Sequence, residues 1–499
     1  MGLLITGLQT IATPAVILWI ICGVFLGVIF GALPGVSATM AIILCVSFTY
    51  SMDPVVAVAF LAAVYCSSIT GGGITAILFK IPGTPSSAAT VLDGYPMVER
   101  GEAGKALGFS LVGSALGGLV SCIIMFLLTQ PLMQLALKFN SAEQFAVCTL
   151  GLSILVYIDT KHKFNTFLSA LIGLSIGCIG IDKLTSVPRL TFGVSELLGG
   201  VGDLPFMLGM FAAAEIFTNI VSPPDRSVYT ESNQAKVTKF PSLREFLAVK
   251  WTALRSAVLG TFIGIVPGAG ATIASWLSYS VQSKLSKHPE QMGHGDPNGI
   301  VASETANNAA TGGAMVPMLS MGIPGSGAAA MMMTALAIHG VQMGPMLLQA
   351  QPTYLSATFV AMMAANILMV FVSLVIAKGF ARVLRVPYHV LGTLIMLLAL
   401  TGCYAYAGST FDVLLMVIGG IFGYFFAKFG FNNTALILGM VLGTDLEYYL
   451  RRGLQLTKGN FFGFFNRPIF CVLFAAFALI WGYALVKAIL DRKKAAASR

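Results

Sequence analysis

Apolar stretches follow one another along almost the whole chain, at about 15–33, 36–50, 54–79, 106–137, 143–158, 166–181, 204–221, 251–282, 304–350, 353–377, 390–427, 430–446 and 468–490. A helix of about 20 apolar residues crosses a roughly 30 Å hydrocarbon layer, so tracts in this number amount to on the order of ten to twelve crossings. Only 10% of the 499 residues are charged and 57% are hydrophobic, against about 25% charged in an average soluble protein. No soluble core absorbs that much apolar chain. The reading is an all-α, polytopic integral membrane protein, and it excludes a soluble enzyme, a secreted disulfide scaffold and a disordered chain. The N-terminus lacks the basic region of a cleavable signal peptide and runs straight into an apolar helix, which reads as a first, retained span.

The net charge of +9 does not point to nucleic acid. Its basic residues gather in short clusters between apolar tracts: Lys161/Lys163, Lys236/Lys239/Arg244/Lys250, Arg451/Arg452 and Arg492/Lys493/Lys494. Cytoplasmic loops carry such an excess because it sets membrane topology. The eight cysteines are scattered and form no C-x-x-C pair, and the five histidines show no metal-ligand spacing, so neither a metal nor a redox site is expected.

Four segments follow from the polar interruptions. Residues 1–221 read as a first membrane repeat and 222–250, opening Ser222-Pro223-Pro224-Asp225, as a polar linker. Residues 251–446 read as a second repeat, and 447–499 as an amphiphilic loop, a last span and a basic C-terminal tail. The tract at 36–50 is short for a span, and those at 54–79 and 304–350 are expected to be interrupted by glycine and proline. Irregular backbone survives at membrane depth only when buried in protein or lining a wet cavity.

The repeat itself is legible. Gly27-x-x-x-Gly31-x-x-Pro34-Gly35-x-x-Ala38-Thr39 recurs, at a constant offset of 233, as Gly260-x-x-x-Gly264-x-x-Pro267-Gly268-x-x-Ala271-Thr272. Thr70-Gly71-Gly72-Gly73 followed by Ile81-Pro82-Gly83-Thr84 matches Thr311-Gly312-Gly313-Ala314 followed by Ile323-Pro324-Gly325-Ser326, at offsets of 241 to 242. Glycines alone, such as Gly23, Gly27 and Gly31 or Gly419 and Gly423, need do no more than let helices approach. Proline followed by glycine does more, because proline removes a donor and clashes with the preceding turn while glycine admits positive φ. Together they stop a helix, and paired broken segments in the two halves of a chain point to a transporter's binding site. The first copy enters from an uncharged flank and the second from a basic one, which makes the repeats inverted by the positive-inside bias.

Substrate is therefore expected at the corners: Pro34, Gly35 and Ser37; Pro82, Gly83, Thr84, Ser86 and Ser87; Pro267 and Gly268; Pro324, Gly325 and Ser326; with Asn307 and Asn308 opposite. New helix N-termini offer amides to a carboxylate. Hydroxyls and open carbonyls at Thr70, Gly71, Gly72, Thr311, Gly312 and Gly313, with Glu304, are expected to serve a coupling cation, Na⁺ or H⁺. Lys80 is the one cation beside a break; pairing a substrate carboxylate competes there with snorkelling to the interface. Of the other acids within apolar tracts, Asp412 and Asp445 sit near tract ends. Glu215 is the most isolated, with proton coupling weighed against an internal hydrogen bond.

At these residues the sequence resembles the large membrane subunit of the bacterial tripartite tricarboxylate transporters. The resemblance lies in Gly31-Ala-Leu-Pro-Gly-Val-Ser-Ala-Thr39, Ile81-Pro-Gly-Thr-Pro-Ser-Ser-Ala-Ala-Thr90, Asp93-Gly-Tyr-Pro-Met97 and Gly101-Glu-Ala-Gly-Lys105. It continues in Pro188-Arg189-x-Thr-Phe-Gly193, Gly264-Ile-Val-Pro-Gly268, Asn307-Asn308 through Gly322-Ile-Pro-Gly-Ser326, and Ile338-His-Gly340. It implies a multi-pass carrier of the bacterial inner membrane with broken or re-entrant hairpins. It further implies a small membrane subunit, a periplasmic solute-binding protein delivering a carboxylate such as citrate, energisation by an ion gradient and an elevator-like movement. No cofactor beyond the coupling cation is implied, and the lack of a Walker A pattern agrees with gradient coupling. A carboxylate or anion channel, or a stand-alone facilitator, is the second reading. A membrane enzyme is the weakest, since no nucleophile, base and orienter stand out.

Overall fold

The computed structural model describes residues 2–159, 162–221, 240–383 and 388–497; the start of the linker at 222–239, with Lys236 and Lys239, and Lys161 lie outside the described residues. In chain order the helices are α1 Gly2–Ile11, α2 Pro14–Ala32, α3 Ala38–Thr49, α4 Pro54–Phe79, α5 Ala88–Glu99, α6 Ala103–Ala136, α7 Ser141–Ile158 and α8 Lys163–Gly177. A two-stranded hairpin follows, β1 Gly180–Ile181 antiparallel to β2 Pro188–Arg189, with Gly180 opposite Arg189. Then come α9 Asp203–Val221, which contains a π-helical turn at Leu208–Ala213, α10 Leu243–Ala248, α11 Lys250–Ile265, α12 Gly270–Leu285, α13 Pro297–Met321 and α14 Gly327–Ile338. The last are α15 Pro352–Val383, α16 Tyr388–Ala407, α17 Thr410–Lys428, α18 Asn433–Leu456 and α19 Pro468–Ala497.

Proline punctuates this order at both ends of helices. Pro14, Pro54 and Pro297 stand at first helical positions, where the missing donor costs nothing. Pro34, Pro82, Pro267 and Pro324 follow helix ends. Seven helices among the described residues are long and apolar enough to cross a membrane: α2, α4, α6, α7, α9, α15 and α17. That is fewer than the ten to twelve crossings counted from apolar length. The tract at 251–282 is split at Pro267-Gly268 into α11 and α12, and the 304–350 tract breaks after Met321 into α13 and α14.

The chain divides into two compact units, Met1–Met133 with Leu204–Tyr424 and Gln134–Asp203 with Phe425–Arg499. They cut across the halves read from the sequence. In the first unit, α4 and α13 are the central helices: every residue is buried from Ala57 to Phe79 and from Gly299 to Ser320. Helix α2 packs on α4, α11 and α12 pack on α13, and α15 covers α4 and α2. In the second unit, α18 packs against α7 and α8, and α19 against α7. Its hairpin loop is tied down by ions: Arg189 donates to both oxygens of Glu447 at 2.5 and 2.6 Å, and Arg451 to Asp182 at 2.9 Å. The Thr185 hydroxyl and then Arg451 hold the Asp182 carboxyl down at about 2.

The tract at 54–79 is a correction to the sequence reading. It is one unbroken 26-residue helix, running through Gly71-Gly72-Gly73. Those glycines stay helical because they are used for approach: a methyl on Gly71 would strike the Val28 carbonyl of α2. The second half repeats this contact, where a methyl on Gly313 would strike the Thr261 carbonyl of α11. Gly27 meets Val64 O as Gly260 meets Ala306 O, and Gly31 meets Ser68 O as Gly264 meets Ala310 O. Equivalent residues on the outer helices are 233 apart and those on the central helices 242 apart. This register corrects the matching of Thr70-Gly71-Gly72 with Thr311-Gly312-Gly313 by one residue; Gly71 corresponds to Gly313. Identity of letters favoured the slip, and backbone contact overrules it.

Candidate functional site

Each Pro-Gly corner is built alike in the two halves. Leu33 and Val266 leave their helices with extended backbone, and Gly35 and Gly268 then turn with φ of 83° and 79°. The second corners begin with a left-handed residue, Lys80 at φ 60° and Gly322 at φ 73°. Ile81 donates to Thr75 O at 3.4 Å as Ile323 donates to Pro317 O at 3.3 Å. Within each half the two corners meet. Gly268 N–H donates to Gly325 O at 2.9 Å, and Gly83 lies so close to Gly31 O that no side chain fits between.

The halves also interlock. The 3₁₀ turn Pro85–Ser87, just past the Pro82-Gly83 corner, lies against α12, and α14, just past the Pro324-Gly325 corner, lies against α3 and α4. Tyr65 of α4 reaches the Ser326 hydroxyl at 3.2 Å. All four corners are thus brought together inside the first unit.

Hydroxyls expected to face a ligand are partly spent on their own helices. Ser37 accepts from Met40 N–H at 3.2 Å and Ser326 from Ala329 N–H at 3.1 Å, each capping the helix after its corner. Thr84 and Ser87 form a capping box around the 3₁₀ turn, and Ser86 lies 3.0 Å from Thr84 Oγ1. Each cap satisfies one amide and leaves the others of that first turn without an intrahelical partner.

The open carbonyls expected at Thr70, Gly71, Gly72, Thr311, Gly312 and Gly313 are not found. Both stretches sit in the middle of continuous helices, where carbonyls accept from amides four residues on. Thr70 turns its hydroxyl to Met369 Sδ at 3.2 Å, Thr311 to Asn308 O at 2.7 Å, and Gly312 faces Ser121. Lys80 is exposed and stands over the Tyr95 ring at 5.2 Å, and Asp445 pairs with Lys183 at 3.1 Å with both side chains about half exposed. Glu215 is not isolated: Asn219 donates to it at 3.5 Å, and Asn219 in turn borders Gly35.

A polar centre lies instead between α13 and the first half. Glu304 has no exposed surface. It accepts from Thr90 Oγ1 of α5 at 2.6 Å and from Ser114 Oγ of α6 at 3.1 Å. Ser303 Oγ is 3.0 Å from Thr90 Oγ1. Gly73 makes room for the carboxylate, since a methyl there would lie 3.0 Å from both oxygens. One turn on, Asn308 donates to Ser114 O at 2.8 Å and to Asn366 Oδ1 of α15 at 2.6 Å. Among the described residues, Asn307 finds no hydrogen-bond partner for either polar side-chain atom, nor do Asn308 Oδ1, Thr305 Oγ1 and Ser110 Oγ. No Lys, Arg or His among them pairs with Glu304. Buried polar groups left unmet are rare and costly, which makes this seam a candidate site. Of the residues at this seam, the sequence reading named Glu304, Asn307 and Asn308 and did not name Thr90, Ser114, Ser303 or Asn366 as site residues. Thr90 alone carried a signal, as the last residue of the Ile81–Thr90 stretch.

Asp93, which the sequence reading quoted only as the first residue of the Asp93–Met97 stretch, joins the halves outside this centre. Its Oδ1 accepts from the amides of Gly293, Gly295 and Asp296 at 2.9, 2.8 and 2.8 Å, and its Oδ2 from Tyr279 OH at 2.8 Å.

Seven helices among the described residues that are long and apolar enough to cross a membrane, with Pro-Gly breaks repeated in the two halves, mark the chain as a multi-pass membrane protein. The family model described as the tripartite tricarboxylate transporter TctA family matches residues 17–438, and the chain belongs to that family. An Agrobacterium vitis protein described as "Uncharacterized 52.8 kDa protein in TAR-I ttuC' 3'region" is 34% identical over 469 residues, covering 94% of this chain and 93% of that protein. A second from the same organism, "Uncharacterized protein in TAR-II ttuC' 3'region", is 35% identical over 210 residues, covering 42% of this chain and 87% of its own length. No solved structure matches the chain.

Proposed function

We propose that this protein is the carrier subunit of a binding-protein-dependent secondary transporter that imports small di- or tricarboxylates, citrate-like, across the bacterial inner membrane. Family membership supports the tricarboxylate class, a small membrane subunit and a periplasmic binding protein as partners. The observation that carries the reading is the meeting of four Pro-Gly corners in one unit, with Gly268 bonded to Gly325 and Tyr65 to Ser326. Each corner precedes a helix start, whose free amides and partial positive charge suit a carboxylate. Substrate sits at Pro34–Ser37, Pro82–Ser87, Pro267-Gly268 and Pro324–Ser326, with Asn307 and Asn308 alongside.

The coupling cation, Na⁺ or H⁺, is served by Glu304 and its hydroxyl partners. It offsets substrate charge, so the loaded core crosses the bilayer at lower cost than the half-loaded one. The two halves act as inverted repeats, and their broken hairpins carry substrate across in an elevator-like movement.

Proteoliposomes holding this chain, its small membrane partner and the cognate binding protein test the reading. Labelled citrate is expected to accumulate under an imposed Na⁺ or proton gradient. Pro82→Ala or Pro324→Ala should abolish accumulation while the protein remains in the membrane. Flux indifferent to both gradients would make it a channel, and wild-type uptake by both variants would remove the corners from the mechanism.

A further inference from the structure

The two hairpins that follow the second corners are held in physically different ways. Helix α14, with the sequence Gly-Ala-Ala-Ala-Met-Met-Met-Thr-Ala-Leu-Ala-Ile, packs on α3 mainly through apolar and small residues. The side-chain hydrogen bond joining its end to α3 is His339 Nε2 to Thr49 Oγ1, 3.0 Å. Such a surface is adaptable, because methionine repacks, and only single neutral hydrogen bonds at its two ends, His339 to Thr49 and Ser326 to Tyr65, have to break for it to slide.

Helix α5 is clamped. The fully buried Asp93 carboxylate takes four hydrogen bonds, three from the 293–296 backbone and one from Tyr279 of α12. Arg100, just past the end of α5, donates to Gly295 O at 2.5 Å. Gly293 and Gly295 turn with φ of 84° and 94°, and no methyl fits on Gly299, which abuts Asp93 Oδ2. The loop is therefore shaped as a nest of amides closed around one carboxylate. It belongs to the polar segment between α12 and α13; the corresponding connection between α3 and α4 is only residues 50–53. At its two ends α5 is bounded by Gly83 and by Gly101, which has φ 79° and nothing near it. Between those points α5 is one continuous helix that carries Thr90 and adjoins the Thr84–Ser87 turn.

We propose that Asp93 is a positioning residue and the 293–296 loop its latch. With Asp93 seated in the nest, the first-half corner and Thr90 are held against α12 and α13, and the protein opens on the α14 side. Opening on the α5 side requires Asp93 to leave the nest. Hydrogen bonds to a carboxylate are the strong ones, and four of them meet on Asp93, against single neutral bonds at the two ends of α14, so the α5 side is the one held shut. The inference rests on the carrier reading, because it assigns the clamp to one side of the site proposed there.

Met97, buried on α5 and 3.3 Å from where a side chain on Gly295 would begin, gives a reporter. Met97→Cys is made in the full chain with the accessible native cysteines replaced, and labelled in membranes with a hydrophilic maleimide. The introduced thiol is expected to label slowly, and about tenfold faster or more when Asp93→Asn is added, given the loss of hydrogen bonds to a charged group. Tyr279→Phe, which removes one bond of the four, should give an intermediate rate, and it carries the test if Asp93→Asn does not fold. Thr49→Val should leave the rate unchanged. Citrate with an ion gradient should raise the rate in the latched protein towards that of Asp93→Asn. Equal rates with and without these substitutions overturn the latch. So does citrate that protects the protein from heat yet leaves labelling unchanged, which would make the clamp a fixed brace. Failure of the carrier reading is distinguishable: citrate then neither protects nor accumulates, while Asp93→Asn still speeds labelling.

Discussion

Glycine at the crossing points is the residue on which this interior depends. Gly31 and Gly264 occupy equivalent places, each against a carbonyl of a buried central helix, Ser68 in one half and Ala310 in the other. A methyl there meets backbone, which cannot rotate aside, so the helices have to part. Overpacking of this kind costs typically about 1–3 kcal/mol. Gly31→Ala and Gly264→Ala are each expected to lower the thermal midpoint in mild detergent, and by similar amounts. Gly379→Ala, on an exposed stretch of α15 with open space around it, should not. A neutral outcome at both sites would mean that these close approaches do not hold the paired helices of each half together. The glycine pattern was legible in the sequence because it recurs. Which carbonyl each glycine faces was not, since that partner lies on another helix, beyond the reach of any local pattern.

Among elements, the helices after the corners show how local sequence and long-range contact share one side chain. Ser37 and Ser326 are both N-caps, a role readable from a hydroxyl placed before an apolar run. Ser37→Ala should cost about 1 kcal/mol. Ser326→Ala should cost more, because it also deserts the buried Tyr65 hydroxyl, and adding Tyr65→Phe should bring the excess back. Unfolding of the two single variants and the double variant measures this; strict additivity would show that the contact between Tyr65 and Ser326 carries no energy. The unbroken α4 teaches the opposite lesson. Three consecutive glycines read as an interruption by propensity, yet burial on all sides keeps the segment helical, and tertiary packing outweighs the local cost.

At the scale of the molecule, the halves have equivalent contacts but unequal charge on the flanks by which α2 and α11 enter. If the repeats are inverted, Thr13 and Ser242, both exposed and just ahead of those entries, face opposite sides of the membrane. Thr13→Cys should react with an impermeant thiol reagent added outside spheroplasts, and Ser242→Cys only after permeabilisation. Labelling of both from one side would make the repeats parallel and would remove the geometry on which alternating access between them depends.

The amino-acid sequence alone determined the environment, the duplication and the positions of the corners. Those are properties of composition and of short motifs, and a proline-glycine pair stops a helix wherever it stands. Tertiary structure decided the rest: that the two long glycine-bearing helices run unbroken, that the repeat register is 242 and not 241 on them, and that Glu304 answers to Thr90 and Ser114. It also decided that Asp93 closes a nest in the opposite half of the chain. Each of these pairs groups distant in the chain, and no local preference records which buried donor will find which acceptor.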